Sequence, residues 1–203
     1  MRTIIAIDPG KSGGVAVSVL GVADCRPMPR TPGDVLALLR CIKAGSDRSG
    51  AETVCVLEKV NGFVGKAQPG SAMFKFGEGY GFLMGVVQAL GIKLVLVRPQ
   101  DWQKEFGLGT ASRCASQSEW KNKLKGEAQR RFPHLPVTHK TADALLILEW
   151  ARGARANTAR EDARPTKTIS EVSSESPDTA GGSVAAPLTI ALPENKATER
   201  TEQ

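Results

Sequence analysis

Apolar positions in the first 150 residues alternate between short β-branched runs and longer stretches with helical spacing. Residues 3–8 (Thr-Ile-Ile-Ala-Ile-Asp) and 14–20 are β-rich and are separated by Pro9-Gly10-Lys11-Ser12-Gly13, a turn composition that predicts an antiparallel hairpin. A third short strand is expected over 22–26. Thr31-Pro32 reads as an N-cap with proline at the first helical position, and Val35, Leu36, Leu38, Leu39 and Ile42 follow at helical spacing as far as Gly45. Strand character returns at 53–57 and ends in Glu58. A loop with Asn61-Gly62 and Pro69-Gly70 precedes a helix predicted over 71–90 and closed by Gly91, then a buried strand at 92–97 and a short helix at 99–106. Ser116 with Glu119 forms a capping box for a basic helix ending at Phe132, and a last helix is expected from 138 to 150. Three strands, a helix, a strand, a helix, a strand and further helices define an α/β chain, with a mixed five-stranded sheet flanked by helices on both faces.

The pattern stops at Trp150, the last aromatic residue. In residues 155–203 only six of 49 are Leu, Ile, Val or Phe, too few to offset the entropy of ordering the segment, so a disordered tail is expected behind one folded domain over 1–154. Charge divides in nearly the same place. Residues 1–150 carry 20 Lys plus Arg against 13 Asp plus Glu, whereas 151–203 carry 7 against 8, so the domain holds all of the net charge of +6 and points to a polyanionic partner. The four cysteines lack C-x-x-C spacing and have only two histidines for company, which argues against zinc and for a reducing compartment. No apolar run approaches the ~20 residues of a membrane span, and no membrane partner is expected.

Three carboxylates stand at informative places. Asp8 ends the first strand, Glu58 ends the fourth and Asp143 opens the last helix, and strand ends are where open α/β sheets build their sites. Acids brought together repel one another and require cations; magnesium prefers oxygen ligands, and two ions ~4 Å apart stabilise both the attacking and the leaving oxygen of a phosphodiester. The glycines of Ser12-Gly13-Gly14 would allow a tight turn and close approach of a phosphate backbone.

In order and spacing, Ile7-Asp8-Pro9-Gly10-Lys11-Ser12-Gly13-Gly14, then Leu57-Glu58-Lys59-Val60, then Ala142-Asp143-Ala144-Leu145-Leu146-Ile147 resemble the RuvC-type Holliday junction resolvases, especially their phage-borne relatives. The likeness spans about residues 3–152. It implies a ribonuclease H-like fold and a homodimeric endonuclease, dependent on Mg2+ with Mn2+ as a substitute, that holds two ions and nicks opposing strands of a four-way DNA junction in the cytoplasm of a bacterial cell or phage-infected host. Asp8, Glu58 and Asp143 fall on the family's metal-binding acids. The family's fourth ligand, Asp or His three residues before the last acid, is replaced here by Lys140. His139, four residues before Asp143, is the substitute if the helix already includes it, since i and i+4 share a helix face. The alternative is that His139 caps the helix or contacts a phosphate, with Lys140 orienting the scissile phosphate.

Lys11 and Ser12 of the first turn are expected at the DNA. Phe63 and Lys66 lie on a Gly-rich loop that corresponds in place to the family's junction-contacting loop, where an aromatic ring can stack on an unpaired base; Phe63 could equally be core. Arg113, Lys121, Lys123 and Lys125 make the helix after residue 116 basic, either as a solvated face or as a phosphate-contacting one. Gly77, Gly81 and Gly85 form a strip every four residues that suits close approach to the chain's own sheet or to a second subunit. Two rival readings stand beside the nuclease. One is a non-catalytic branched-DNA-binding factor with a decayed site. The other is an ATP-handling protein of the actin and sugar-kinase type, disfavoured because such proteins need a second domain.

Overall fold

The structure, a computed structural model, describes residues 2–60 and 70–153. The expected tail, and Phe63 and Lys66 with their loop, lie outside the described residues. Five strands, β1 (Arg2–Asp8), β2 (Gly14–Val19), β3 (Val22–Pro27), β4 (Glu52–Glu58) and β5 (Lys93–Val97), form one sheet in the order β3-β2-β1-β4-β5. β1–β2 and β2–β3 pair antiparallel, while β1–β4 and β4–β5 pair parallel. This is the mixed α/β sheet expected from the sequence pattern, with the two crossovers made by helices α1 (Pro32–Arg48) and α2 (Gly70–Ala89).

Strand periodicity divides the core in two. Ile5, Ile7, Cys55 and Leu57 point to the face covered by α1 and α2, where they meet Leu39, Leu83 and Val87. Ile4, Ala6, Val54 and Val56 point to the other face, covered by α3 (Pro99–Gln103), α4 (Gln117–Arg131) and α5 (Ala142–Arg152). Because side chains alternate at a period of two, Asp8 shares the face of Ile4 and Ala6, and Glu58 that of Val54 and Val56. Both acids therefore face α5, which is buried along almost its whole length.

Local chemistry explains most of the boundaries. Thr31 accepts a hydrogen bond from the Asp34 backbone N–H at 3.1 Å, the expected N-cap. Helix α1 runs past Gly45 to Arg48, since one glycine inside a helix costs only ~1 kcal/mol; the stop comes instead at Gly50, in the left-handed region at φ +64. At α4 the Ser116 hydroxyl accepts from the Glu119 N–H at 3.1 Å, while the Glu119 carboxylate accepts from the N–H of Ala115 at 2.7 Å. The last helix departs most from expectation, beginning at Ala142 and not at 138. Thr138 donates its N–H to Thr141 Oγ1 at 3.0 Å and its carbonyl accepts from the N–H groups of Thr141 and Ala142 at 3.2 and 3.0 Å, so 138–141 form a single turn ahead of the helix. No described helix is long and apolar enough to cross a membrane.

Candidate active site

Parallel pairing of β1 with β4 puts Ile7 opposite Leu57, so the next residues, Asp8 and Glu58, end neighbouring strands side by side. Their carboxyls act on each other electrostatically, and Asp143, in the first turn of α5, adds its field to both. Asp143 is only 5% exposed, and its Oδ1 has no hydrogen-bond partner. The other oxygen, Oδ2, accepts from Lys121 Nζ of α4 at 2.5 Å. Glu58 Oε1 accepts from the indole N–H of Trp102 at 2.9 Å, with Trp102 wholly buried in the core under α3.

The electrostatics follow from this crowding. Burial, with the charges of Asp143 and Glu58 added to it, raises the Asp8 pKa to about 8. Burial also raises Glu58, though the Trp102 indole bond and the Asp8 carboxyl pull the other way. For Lys121 burial opposes the charge, but Asp143, Asp8 and Glu58 together outweigh it and its pKa is raised. Without an added cation Asp8 is thus held towards its neutral form beside a lysine–aspartate ion pair.

Of the other residues singled out by sequence, His139 is not brought to the acids. It precedes α5, so the shared helix face it needs does not exist, and its exposed ring bonds Asn122 Oδ1 of α4 through Nε2 at 2.9 Å. Lys140 has an exposed side chain in the same turn, and its backbone carbonyl packs on Gly14 so closely that a Cβ there would lie 2.4 Å away. Gly13 likewise lies against the chain's own backbone, 2.1 Å from the Asp8 carbonyl for a built Cβ. The two glycines are therefore required by the protein's own backbone, whatever else approaches the turn. Lys11 and Ser12 are exposed at its tip.

The basic helix splits by face. Trp120, Leu124 and Ala128 are buried at i, i+4 and i+8. Lys121 reaches into the acidic site, so neither the solvated-face nor the phosphate-contact reading describes it as it stands. Lys123 is bound on the outer side to Glu119 at 2.9 Å and to Cys114 Sγ at 3.4 Å. Lys125 is half-buried, and Arg113 is exposed in a short 3-10 turn. Arg130 and Arg131 both bond Glu127.

Sequence reasoning missed Trp102 and misplaced Lys121. The only hint for Trp102 is a large aromatic just after the strand beside Glu58, and for Lys121 its place next to a core tryptophan on an otherwise polar helix. The glycine strip is also clarified. Gly77, Gly81 and Gly85 are exposed, and a Cβ on any of them would meet no described atom within 4 Å, so the strip is not a seam against the chain's own sheet as described.

The sheet order and its helical crossovers give a mixed α/β fold of the ribonuclease H-like type. Among solved structures, the chain is similar to the Thermus thermophilus RuvC in complex with Holliday junction substrate, at 15% identity and a TM-score of 0.50, over 79% of this chain and 99% of that one. The Thermus thermophilus RuvC structure is also similar, at 16% identity and a TM-score of 0.47, over 78% and 99%. No family model and no curated protein matches the sequence.

Proposed function

We propose that the protein is a structure-selective endonuclease that hydrolyses phosphodiester bonds in branched DNA, four-way junctions above all. The observation that carries this reading is the convergence of Asp8, Glu58 and Asp143 from two strand ends and a helix start into one half-buried acidic site. The fold's similarity to a RuvC that holds a junction, and the net positive charge of residues 1–150, support DNA as the substrate.

The donor set fits a divalent cation. Three carboxylates supply only oxygen ligands, as magnesium or manganese prefers, and Asp143 Oδ1 is a buried acceptor with nothing bonded to it. As the side chains stand without a cation, no three His, Cys, Asp or Glu among the described residues form a metal-ligand group. Such a cation, when bound, would polarise the scissile phosphate and lower the pKa of an attacking water.

The chain's own residues do the rest. Asp8 and Glu58 bind as carboxylates after Asp8 releases its proton, and Trp102 fixes the rotamer of Glu58. Asp143 closes the site from α5. Lys11, Ser12, Arg113 and Lys125 would contact the DNA backbone, and hydrolysis would leave a 5′-phosphate and a 3′-hydroxyl. Phe74, 74% exposed on α2, and the open glycine strip beside it favour a second copy of the chain on that helix, which would give paired nicks.

The test is incubation of the purified protein with labelled four-way junction, flap, duplex and single-stranded DNA, with and without magnesium. Magnesium-dependent cleavage selective for branched DNA is expected. A second reading, a branched-DNA-binding factor without nuclease activity, is favoured by one observation: the family's acidic position is Lys140 and its side chain is exposed. That reading gives junction binding with no cleavage in any divalent metal.

A further inference from the structure

The acidic site contains a cation of its own. Lys121 Nζ lies 2.5 Å from Asp143 Oδ2, and its charge also acts on Asp8 and Glu58. The helix that carries it is anchored by Trp120 and Leu124 on either side of it, both buried in the core, while the lysine side chain itself is 40% exposed. We propose that Lys121 supplies the second positive charge of this site, so that each chain takes up one divalent cation where the family resemblance implies two.

The number of donors points the same way as the charge. Asp143 offers one buried oxygen without a partner, while Lys121 holds the other. The position that would bring a fourth ligand is Lys140, and His139 is turned to Asn122, so neither adds an acid or an imidazole to the set. Three ionised carboxylates and one ammonium leave two negative charges, which a single divalent cation neutralises. A second ion would leave the site strongly positive before any phosphate arrives. Because Asp143 is only 5% exposed and a buried charge without a counter-charge is costly, that balance decides occupancy.

The inference rests on the nuclease reading for the purpose of the site, but not for its measurement. Manganese bound to the full-length protein is counted by electron paramagnetic resonance of the free ion, and its affinity by calorimetry. Wild-type protein should hold one Mn2+ per chain, and Lys121→Arg also one. Lys121→Met should bind the ion about tenfold or more tightly, since a competing charge a few ångströms away has gone. Lys121→Glu should take up two. Two ions of comparable affinity in the wild type, no bound ion, or unchanged affinity in Lys121→Met each overturn the proposal. If Lys121→Met does not fold, the wild-type count decides alone. Cleavage of junction DNA by the same preparation separates the two ideas: one bound ion with no cleavage of any DNA sinks the nuclease reading only, and cleavage with two bound ions sinks this one only.

Discussion

The two faces of the sheet are covered by helices of opposite kinds. Helix α5 buries nine of its 11 residues between β1, β2, β4 and α4, and it carries Asp143 in its first turn. Helix α2, on the other face, buries only Leu83 and Val87 of 20 residues although its composition is the more apolar, and it leaves Phe74 and all five of its glycines in the open. Under the proposed function the two faces have different tasks. A site built from three carboxylates tolerates little motion, so its helix is locked on every side. A helix that keeps apolar surface exposed is available to a partner, and the fold can spare it because α1 shares the task of covering that face.

Substitutions at the locked face should have the largest effects. Glu58→Gln and Asp143→Asn should reduce junction cleavage to background, while junction affinity by gel shift is unchanged or tighter, because the exposed cations remain. Near-native cleavage by either variant would remove that residue from the site. Leu146→Ala, at a wholly buried position on α5, should cost ~2–5 kcal/mol in urea unfolding; a loss under ~1 kcal/mol would show that α5 is not the locked element described.

A pH dependence follows from Asp8. Its carboxyl ionises near 3.8 in the unfolded chain and only at about 8 in the fold, so between those values folding takes up a proton. The metal-free protein should be most stable at the acidic end of that window and lose stability as pH rises towards 8. Melting temperature in EDTA should therefore fall across this range, and Asp8→Asn should flatten the curve. A melting temperature that rises with pH would mean that the Asp8 carboxyl is not held neutral by its neighbours.

On the open face, Gly81→Ala should be neutral or stabilising by up to ~1 kcal/mol, since it improves helix propensity and meets no described atom. Gly81→Leu should lower the fraction of any dimer seen by analytical ultracentrifugation, and an unchanged dimer would place the second copy elsewhere. The smallest effect belongs to His139→Ala, which should leave manganese affinity unchanged because the ring is bonded to Asn122; a clear weakening would return the histidine to the metal.

Much of this architecture was legible in the chain. Strand ends carry a strong signal, because an apolar β-branched run closed by an acid, as in Ile4–Asp8 and Val54–Glu58, fixes both the element and the direction of its last side chain once the two strands are parallel neighbours. The start of α5 was not legible. Thr138 and Thr141 look helix-compatible in the sequence, but the segment closes as a separate turn on the Thr138 carbonyl, which leaves His139 off the helix. Lys121 was hidden for a different reason. Its neighbours Lys123 and Lys125 are also basic, so composition cannot single out the one lysine whose position beside Trp120 aims it inward. Trp102 reaches Glu58 across 44 residues of sequence, a pairing no local pattern encodes.

The most direct test of the account is single-turnover cleavage of a labelled four-way junction by wild-type protein and Asp8→Asn across a magnesium titration, with junction binding measured in parallel. The account predicts magnesium-dependent cleavage by the wild type, none by Asp8→Asn at any magnesium concentration, and equal or tighter binding by the variant. Cleavage by Asp8→Asn at the wild-type rate, or wild-type cleavage that persists in EDTA, would contradict the claim that these acids form a metal-dependent cutting site.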